Sequence, residues 1–516
     1  MPNSPNGIVV FSGGSAANSL VDVFNTVTTR KHCTLSYILP ISDNGGSSSE
    51  LIRVFGGPGI GDLRSRLVRL IPDDETDPER AAVKALFNHR LPADAEVARH
   101  EWLDIVEARH PLWEGIESAK KELIRAFLNM LNLEIVKRVR PSSVFNFGSA
   151  SVGNLFLTGA RLFSGSLESA IYLLSSICGV PSNIAVLPSI NTNFSHHISA
   201  GLADGSRILG QNAISHPSAP TAAPAGDDPA ETTASGITTS GAAAPTALRT
   251  TATAAATALL ADEADAIEDA NLPGSHPSLR RPNIHFSKSD DEALPSPITR
   301  IWYINPYGQE IRPPANPKLL HALASARAVV YSIGSLYTSI VPSLVLRGVG
   351  AAIARSPAKC RILLLNAARD RETGGLDALG FVGAVARAAH QSLSPPPVIA
   401  SPTSPTAADD AFGAGFNGAS ILPPEQYRTY VTHVLHLDGP GAPAVDRAAL
   451  ARLGIETVRL YGRREGGKLR YDEAALAQAL EVLVEGGGKG VELRRRNTLG
   501  REQGAGGAGT GAGAAA

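Results

Sequence analysis

Short apolar runs separated by longer stretches of helical spacing set the rhythm of this chain. Gly7–Phe11 (GIVVF) has the pattern of a buried strand, followed by a small-residue loop and a helical run over Asn18–Arg30. Cys33–Ile41 (CTLSYILPI) predicts a second strand, which leads into the polar, glycine-rich stretch SDNGGSSS. Helical spacing over about 114–140 precedes an expected strand at Ser143–Phe147 (SVFNF), and Asn154–Phe163 and Leu167–Ile177 read as two helices. Further on, RIWYI (Arg300–Ile304), RAVVYSI (Arg327–Ile333), CRILLLN (Cys360–Asn366), THVLHL (Thr432–Leu437) and ETVRLY (Glu456–Tyr461) alternate with helical segments, the last of them Asp472–Val484. Strands joined by helices in this way predict an α/β fold, a Rossmann-like doubly wound parallel sheet with helices on both faces.

Three tracts interrupt the rhythm. Residues 216–297 are dominated by Ala, Thr, Ser, Pro and Gly, with too few large apolar residues to offset the entropy of ordering, although Ala254–Ala270 is rich enough in alanine for transient helix. Residues 392–412 form a Pro/Ser-rich linker, and 486–516 a Gly/Ala-rich tail. The α/β domain is therefore expected in three pieces, 1–215, 298–391 and 413–485, with a disordered insertion between the first two.

Charge and cysteine content exclude several classes. Lys and Arg number 47 against 48 Asp and Glu, a net charge of −1 with no long basic run, which argues against a protein that holds nucleic acid by bulk charge. Cys33, Cys178 and Cys360 are too far apart for a disulfide framework or a CxxC metal knuckle. The first residues lack the basic and apolar regions of a signal peptide, and no run reaches the 18 or more apolar residues of a membrane span. These features predict a cytoplasmic protein with no membrane partner.

In open α/β sheets ligands bind beyond the carboxyl ends of the strands. The loops expected there share a character: Ser12-Gly13-Gly14-Ser15-Ala16, then Ser42-Asp43-Asn44-Gly45-Gly46-Ser47-Ser48-Ser49, then Gly148 to Asn154 including Gly153, then Gly334-Ser335-Leu336-Tyr337-Thr338-Ser339. Small residues let backbone N–H groups approach an anion, hydroxyls add donors, and helix starts add partial positive charge. Four such loops on one sheet point to a phosphate-bearing ligand. Asp43, with glycines beside it, is suited to a ribose or sugar hydroxyl or to a Mg²⁺ bridging a diphosphate, ahead of the plainer reading as an Asx turn that caps the next helix. Asp62 reads as an N-cap, with Arg64 one turn further on either facing phosphate or serving the helix.

Other motif matches fail on context. Gly413–Gly418 fits GxGxxG but follows a Pro/Ser linker rather than a strand. Gly462–Lys468 has Walker A spacing, but Leu469 stands where Ser or Thr is required, and a hairpin-like loop is the better reading. Adjacent strand residues face opposite sides, so His196 and His197 are not a ligand pair. Asp73-Asp74 reads as surface.

The order of these loops resembles the family that joins YvcK-type gluconeogenesis factors to CofD-type 2-phospho-L-lactate transferases of deazaflavin coenzyme synthesis. The resemblance is carried by the loop Ser12–Ala16, by Asp43-Asn44-Gly45-Gly46-Ser47-Ser48, Gly61-Asp62-Leu63-Arg64 and Gly153-Asn154-Leu155, and by Val186-Leu187-Pro188. It continues in Gly334 to Ile340, in Asn366 with Glu372-Thr373, and in Arg470-Tyr471-Asp472. SLYTSI and DNGGSSS look closer to the YvcK branch, and the long insertion suggests a fungal-type member.

This resemblance implies a nucleotide diphosphate bound across the loops. In the YvcK branch the ligand is a UDP-sugar and the protein a metabolic regulator, which makes a nucleotide-sugar-binding regulator of carbon or cell-wall metabolism the first expectation. In the CofD branch a phospho-acyl group passes from a guanosine diphosphate ester to a hydroxyl, with Mg²⁺. Asp43 would then position metal or acceptor, and Arg64 would hold the departing phosphates. An interaction scaffold with a degenerate pocket is the third alternative. A homodimer is implied by resemblance only. The sequence departs from the family pattern at Asn44, where a second acid is usual, and at Gln211, where an acid is expected after Gly210.

Overall fold

The computed structural model describes residues 6–72, 77–140, 143–216, 276, 279, 293–393 and 422–486. Almost all of the three low-complexity tracts, together with Asp73-Asp74 and Gly413–Gly418, lies outside the described residues.

The core is a seven-stranded parallel sheet. In chain order its strands are β1 (Gly7–Phe11), β2 (Thr34–Leu39), β3 (Ile184–Pro188), β8 (Ala326–Tyr331), β9 (Cys360–Leu364), β10 (His433–His436) and β11 (Glu456–Arg459). Their spatial order is β11-β10-β9-β8-β1-β2-β3. The chain builds outward from β1 on one side, then crosses back to lay β8 against the other side of β1 and continues outward from there. Every residue of β1 is buried, as a strand covered on both faces requires, and its apolar run is correspondingly unbroken. Helices cover both faces of the sheet.

The excursion between β2 and β3 holds α2 (Ser47–Phe55), α3 (Gly61–Arg69), α4 (Pro78–Asn88), α5 (Ala95–Val106), α6 (Ser118–Arg138), α7 (Val152–Ser164) and α8 (Leu167–Ile177), whereas β1 and β2 are joined through α1 (Val21–Lys31). Between β3 and β8 the chain adds a four-stranded antiparallel sheet, ordered β5-β4-β6-β7, from β4 (His197–Leu202), β5 (Arg207–Leu209), β6 (Ile298–Ile304) and β7 (Glu310–Ile311). The short helix α9 (Gln211–Ser215) follows β5. An antiparallel hairpin, β12 (Gly462–Glu465) with β13 (Lys468–Tyr471), turns through Gly466 and Gly467, both with positive φ, where the spacing had suggested a hairpin rather than a phosphate loop.

Two sequence expectations are corrected. SVFNF is not a strand. Phe145 and Phe147 are buried, but the backbone N–H of Asn146 donates to Glu50 Oε1 at 2.7 Å, so a side chain replaces the sheet ladder there. RIWYI forms most of β6, which pairs with β4 in the antiparallel sheet and not with the parallel core. Its alternating apolar positions suit a sheet with two different faces.

Candidate functional site

At the boundary between β1 and β8 the strand order reverses, and the loops leaving these strands run in opposite directions. The backbone locks them in register: Ser12 N–H donates to Ile38 O at 3.0 Å and Ser332 N–H to Phe11 O at 2.9 Å. A cavity of about 580 Å³ opens beyond these strand ends, where an open α/β sheet binds its ligand.

Its wall is made by Gly13, Gly14 and Ser15 after β1, by Asp43 and Gly45–Ser48 after β2, by Asp62 and Arg64 on α3, by Asn154 on α7, and by Gly334, Ser335 and Thr338 after β8. Close packing explains the glycines. A Cβ on Gly14 would lie 2.2 Å from Asp62 Oδ1, and one on Gly13 would lie 2.4 Å from Ser339 Oγ. Gly46 has φ 55°, which turns the chain into the first residues of α2 and faces Ser47 and Ser48 to the cavity. Gly334 has φ 138° and is held at both ends by Asn366, whose Oδ1 accepts from its N–H at 3.0 Å and whose Nδ2 donates to its carbonyl at 2.9 Å.

Charge is concentrated on the floor. Asp62 is not an N-cap: α3 starts at Gly61, and its carboxylate lies against Gly14 and near Asp43. Burial and the neighbouring Asp43 charge push Asp62 up to about 7, against the pull of Arg66, the Gly14 backbone and Arg64. Arg64 donates to Asn154 Oδ1 at 3.1 Å and Asn88 Oδ1 at 3.4 Å, and burial with the nearby Arg90 lowers it to about 10. It remains a cation at neutral pH. Gly153 does not reach the cavity; a Cβ there would collide with the Arg64 side chain at 2.8 Å, so this glycine makes room for the arginine. Asn44, Leu336 and Tyr337 likewise lie off the wall. Asn44 Oδ1 accepts from Asn212 N–H at 3.0 Å, and Leu336 and Tyr337 are buried in one turn of π-helix under the β8 loop.

Several cavity residues carry no local signal in the sequence. Arg90, exposed at the rim, follows α4. Gln211, Asn212, Ser215 and His216 arrive from the antiparallel sheet. Arg66 is fully buried beneath the first loop, donating to Gly13 O at 3.0 Å and Ala17 O at 3.2 Å while its guanidinium lies 4.4 Å above the Tyr37 ring. With those carbonyls occupied from below, the loop's opposite side faces the cavity. A second cavity of about 410 Å³ shares Ser15, Ala16, Gly334 and Ser335 with the first and extends to Asn366, Asp370, Leu469, Arg470 and Tyr471.

A family model described as 2-phospho-L-lactate transferase CofD matches residues 8–411. The chain belongs to the CofD family. An uncharacterized protein of Saccharomyces cerevisiae is 44% identical over 378 residues, covering 73% of this chain and 81% of that one. A Deinococcus radiodurans protein whose name carries the words gluconeogenesis factor is 28% identical over 202 residues, 39% of this chain and 36% of its own. A crystal structure of a member of the UPF0052 family from Bacillus halodurans superposes with TM-score 0.51 at 18% identity, covering 92% of this chain and 99% of the other; this likeness speaks to the fold.

For this CofD-family chain two groups bear on metal binding. His89, Glu101 and His110 bring their ligand atoms within 4.8 Å of one another, a cluster able to hold an ion. Imidazole-rich sets suit transition metals better than Mg²⁺. Here Glu101 Oε1 lies 2.5 Å from His89 Nε2 and 3.4 Å from His110 Nε2, and His110 Nδ1 accepts from Leu112 N–H at 3.2 Å. With Nδ1 so used, a neutral His110 carries its proton on Nε2, pointed at Glu101, and an ion could bind there only after that cap is released. The all-oxygen pair Asp43 and Asp62 fits a hard divalent cation better. Their mutual repulsion, which helps to raise Asp62, is what such an ion would relieve. The second acid beside Asp43 is Asp62 on α3, whereas position 44 carries an amide.

Proposed function

We propose that the protein transfers a phosphorus-containing group from a nucleoside-diphosphate-activated donor to an acceptor hydroxyl. The observation that carries this reading is the cavity at the strand-order reversal, where small-residue loops, Arg64 and a repelling pair of carboxylates converge on one volume. Family membership supports it over the regulatory nucleotide-sugar binder, since the CofD model names a transferase of this class.

In the proposed reaction the acceptor oxygen forms a bond to the distal phosphorus as its hydroxyl proton is released to solvent, the bridging P–O bond breaks, and the nucleoside monophosphate leaves with the bridging oxygen. Transfer of this kind is mostly positioning and neutralisation of charge. The loop after β1 and the first residues of α2 present backbone N–H groups to the nonbridging oxygens, and the loop after β8, whose Gly334, Tyr337 and Thr338 N–H groups are held by Asn366 and Glu372, adds Ser335. Arg64, fixed by Asn154 and Asn88, and Arg90 at the rim neutralise the charge on the leaving nucleotide. Asp43 and Asp62 would hold Mg²⁺, which when bound supplies further neutralisation of the diphosphate. The second cavity, with Leu469 and Tyr471 on its wall, takes the ring-bearing part of a substrate. The three cysteines are free and buried, in keeping with a reducing, cytoplasmic setting.

The test is thermal stability against GDP, UDP and UDP-sugars with and without Mg²⁺. A ligand at 100 times its Kd adds about 2.7 kcal/mol. Mg²⁺-dependent stabilisation by a nucleoside diphosphate supports the transferase. Stabilisation by UDP-sugars alone, indifferent to Mg²⁺, supports the regulator.

A further inference from the structure

Outside both cavities, three side chains from three separate elements converge. His89 closes α4, Glu101 stands in the middle of α5, and His110 caps the one-turn 3₁₀ helix Pro111–Trp113. Their ligand atoms lie within 4.8 Å of one another, and none of the three lines either cavity. Glu101 breaks the pattern of its helix. Ala98, Trp102 and Ile105 are buried at the i, i+4 and i+7 positions of one stripe of α5, and Glu101 falls at i+3 of that same stripe. An acid set on a core-facing stripe needs a cation or a donor beside it. Both imidazoles supply one, with Glu101 Oε1 at 2.5 Å from His89 Nε2 and 3.4 Å from His110 Nε2. Apart from Leu112 N–H on His110 Nδ1, the three side chains make no other hydrogen bond or ion pair among the described residues.

The backbone that carries them is fixed. Val152 N–H donates to His89 O at 3.1 Å, His110 N–H donates to Asp104 O at 3.2 Å, and the buried Trp113 donates its ring N–H to Ile105 O at 2.8 Å. We propose that His89, Glu101 and His110 bind a divalent transition-metal ion of the Zn²⁺ class, which pins α5 and the His110 turn to the end of α4. Two imidazoles and a carboxylate are a zinc donor set, and with the side chains 26%, 20% and 20% exposed, water can reach the fourth position. Zinc bonds of about 2.0–2.1 Å place tetrahedral ligands about 3.3 Å apart. The 2.5 Å pair therefore opens slightly and the 3.4 Å pair hardly moves. His110 gives up its cap on Leu112, so that the ring carries its proton on Nδ1 and ligates through Nε2. One cap hydrogen bond is a small loss beside the binding energy of a zinc site. The site is distinct from the Asp43 and Asp62 pair and does not rest on the nucleotide reading. It lies one residue from Asn88, which accepts from Arg64, and one residue from Arg90 at the cavity rim.

The experiment takes the full chain, stripped of metal by a chelator, and titrates it with Zn²⁺ against a competing chromophoric chelator. Co²⁺ is then added in place of Zn²⁺ and followed by its d–d absorption. The natural chain is expected to bind one equivalent of Zn²⁺ with submicromolar Kd, to melt at a higher temperature with it, and to give a Co²⁺ spectrum of mixed nitrogen and oxygen coordination. Millimolar Mg²⁺ should not compete. Glu101→Gln keeps the side-chain shape, and His110→Asn keeps an acceptor for the Leu112 N–H. Each should weaken Zn²⁺ binding at least about 100-fold while the metal-free variant still melts cooperatively. His100→Ala, on the exposed side of α5, should leave binding unchanged. Absence of Zn²⁺ binding at micromolar free metal, or binding that survives both ligand substitutions, would overturn the proposal. If either variant fails to fold, the Co²⁺ spectrum of the natural chain decides, and a spectrum of hydrated Co²⁺ alone sinks the site.

Discussion

Two pairs of acids flank the strand-order reversal, and both contain a carboxyl that the fold raises to about 7: Asp62 beside Asp43, and Glu372 beside Asp370. Burial is the leading cause in each, with the neighbouring acid second. Their hydrogen bonding separates them. Glu372 accepts from Tyr337 N–H at 3.0 Å, Thr338 N–H at 3.1 Å, Thr338 Oγ1 at 2.6 Å and Ser215 Oγ at 3.1 Å, and it does not reach the cavity wall. It ties the π-turn after β8 to α9. Asp62 lies on the cavity wall, and the backbone of Gly14 is its one hydrogen-bonding contact among the causes of its shift. A saturated buried acid is a latch, whereas an acid facing an open volume next to a second acid is what the proposed cation site requires. Similar titration can thus serve unlike roles, and the count of donors tells them apart.

This contrast can be broken by experiment. The largest effect is expected from Asp62→Asn, which should lower Mg²⁺-dependent transfer about 10³-fold, roughly 4 kcal/mol, while nucleotide still binds; single-turnover kinetics with a measured Kd checks the split. Gly14→Ala places a methyl 2.2 Å from Asp62 Oδ1 and should weaken nucleoside diphosphate binding by tenfold or more, about 1.4 kcal/mol, read by titration calorimetry.

Glu372→Gln should instead cost stability, about 1–3 kcal/mol, and leave the Mg²⁺ dependence intact. It should also flatten the pH profile. Unfolded Glu372 titrates near 4.5 and folded Glu372 near 7, so between these values the folded chain holds a proton that the unfolded chain lacks. Stability from this group therefore falls as pH rises across that window, and the glutamine variant loses that slope in denaturant melts at stepped pH. The smallest effect is expected from Arg90→Ala at the exposed rim, about 0.5–1 kcal/mol in nucleotide affinity, reduced by salt.

The sequence made the framework and the loops legible for a physical reason. Gly13, Gly14, Gly45 and Gly46 sit where contact with Asp62, Ser339 or Asn212, or a positive φ, leaves no room for a side chain, so their need is written locally. The doubly wound sheet was legible because strands buried on both faces must read as unbroken apolar runs. Residues brought in by tertiary structure were not. Arg66 looks like any polar position on a helix, yet it lies wholly buried under the first loop. Asp62 looks like a cap until α3 is seen to begin at Gly61. Gln211 and Asn212 depend on where a second sheet folds back, and SVFNF misled because Glu50 on α2 satisfies its backbone.

The central claim is that Asp43 and Asp62 form a divalent-cation site for a bound nucleoside diphosphate. The direct measurement is the melting shift produced by GDP or UDP with Mg²⁺ at pH 6 and pH 8, in the natural chain and in Asp62→Asn. Because the cation binds the deprotonated pair and Asp62 is raised to about 7, the Mg²⁺-dependent part of the shift should be larger at pH 8 than at pH 6, and absent from the variant. A shift of equal size at both pH values that survives Asp62→Asn would contradict the account.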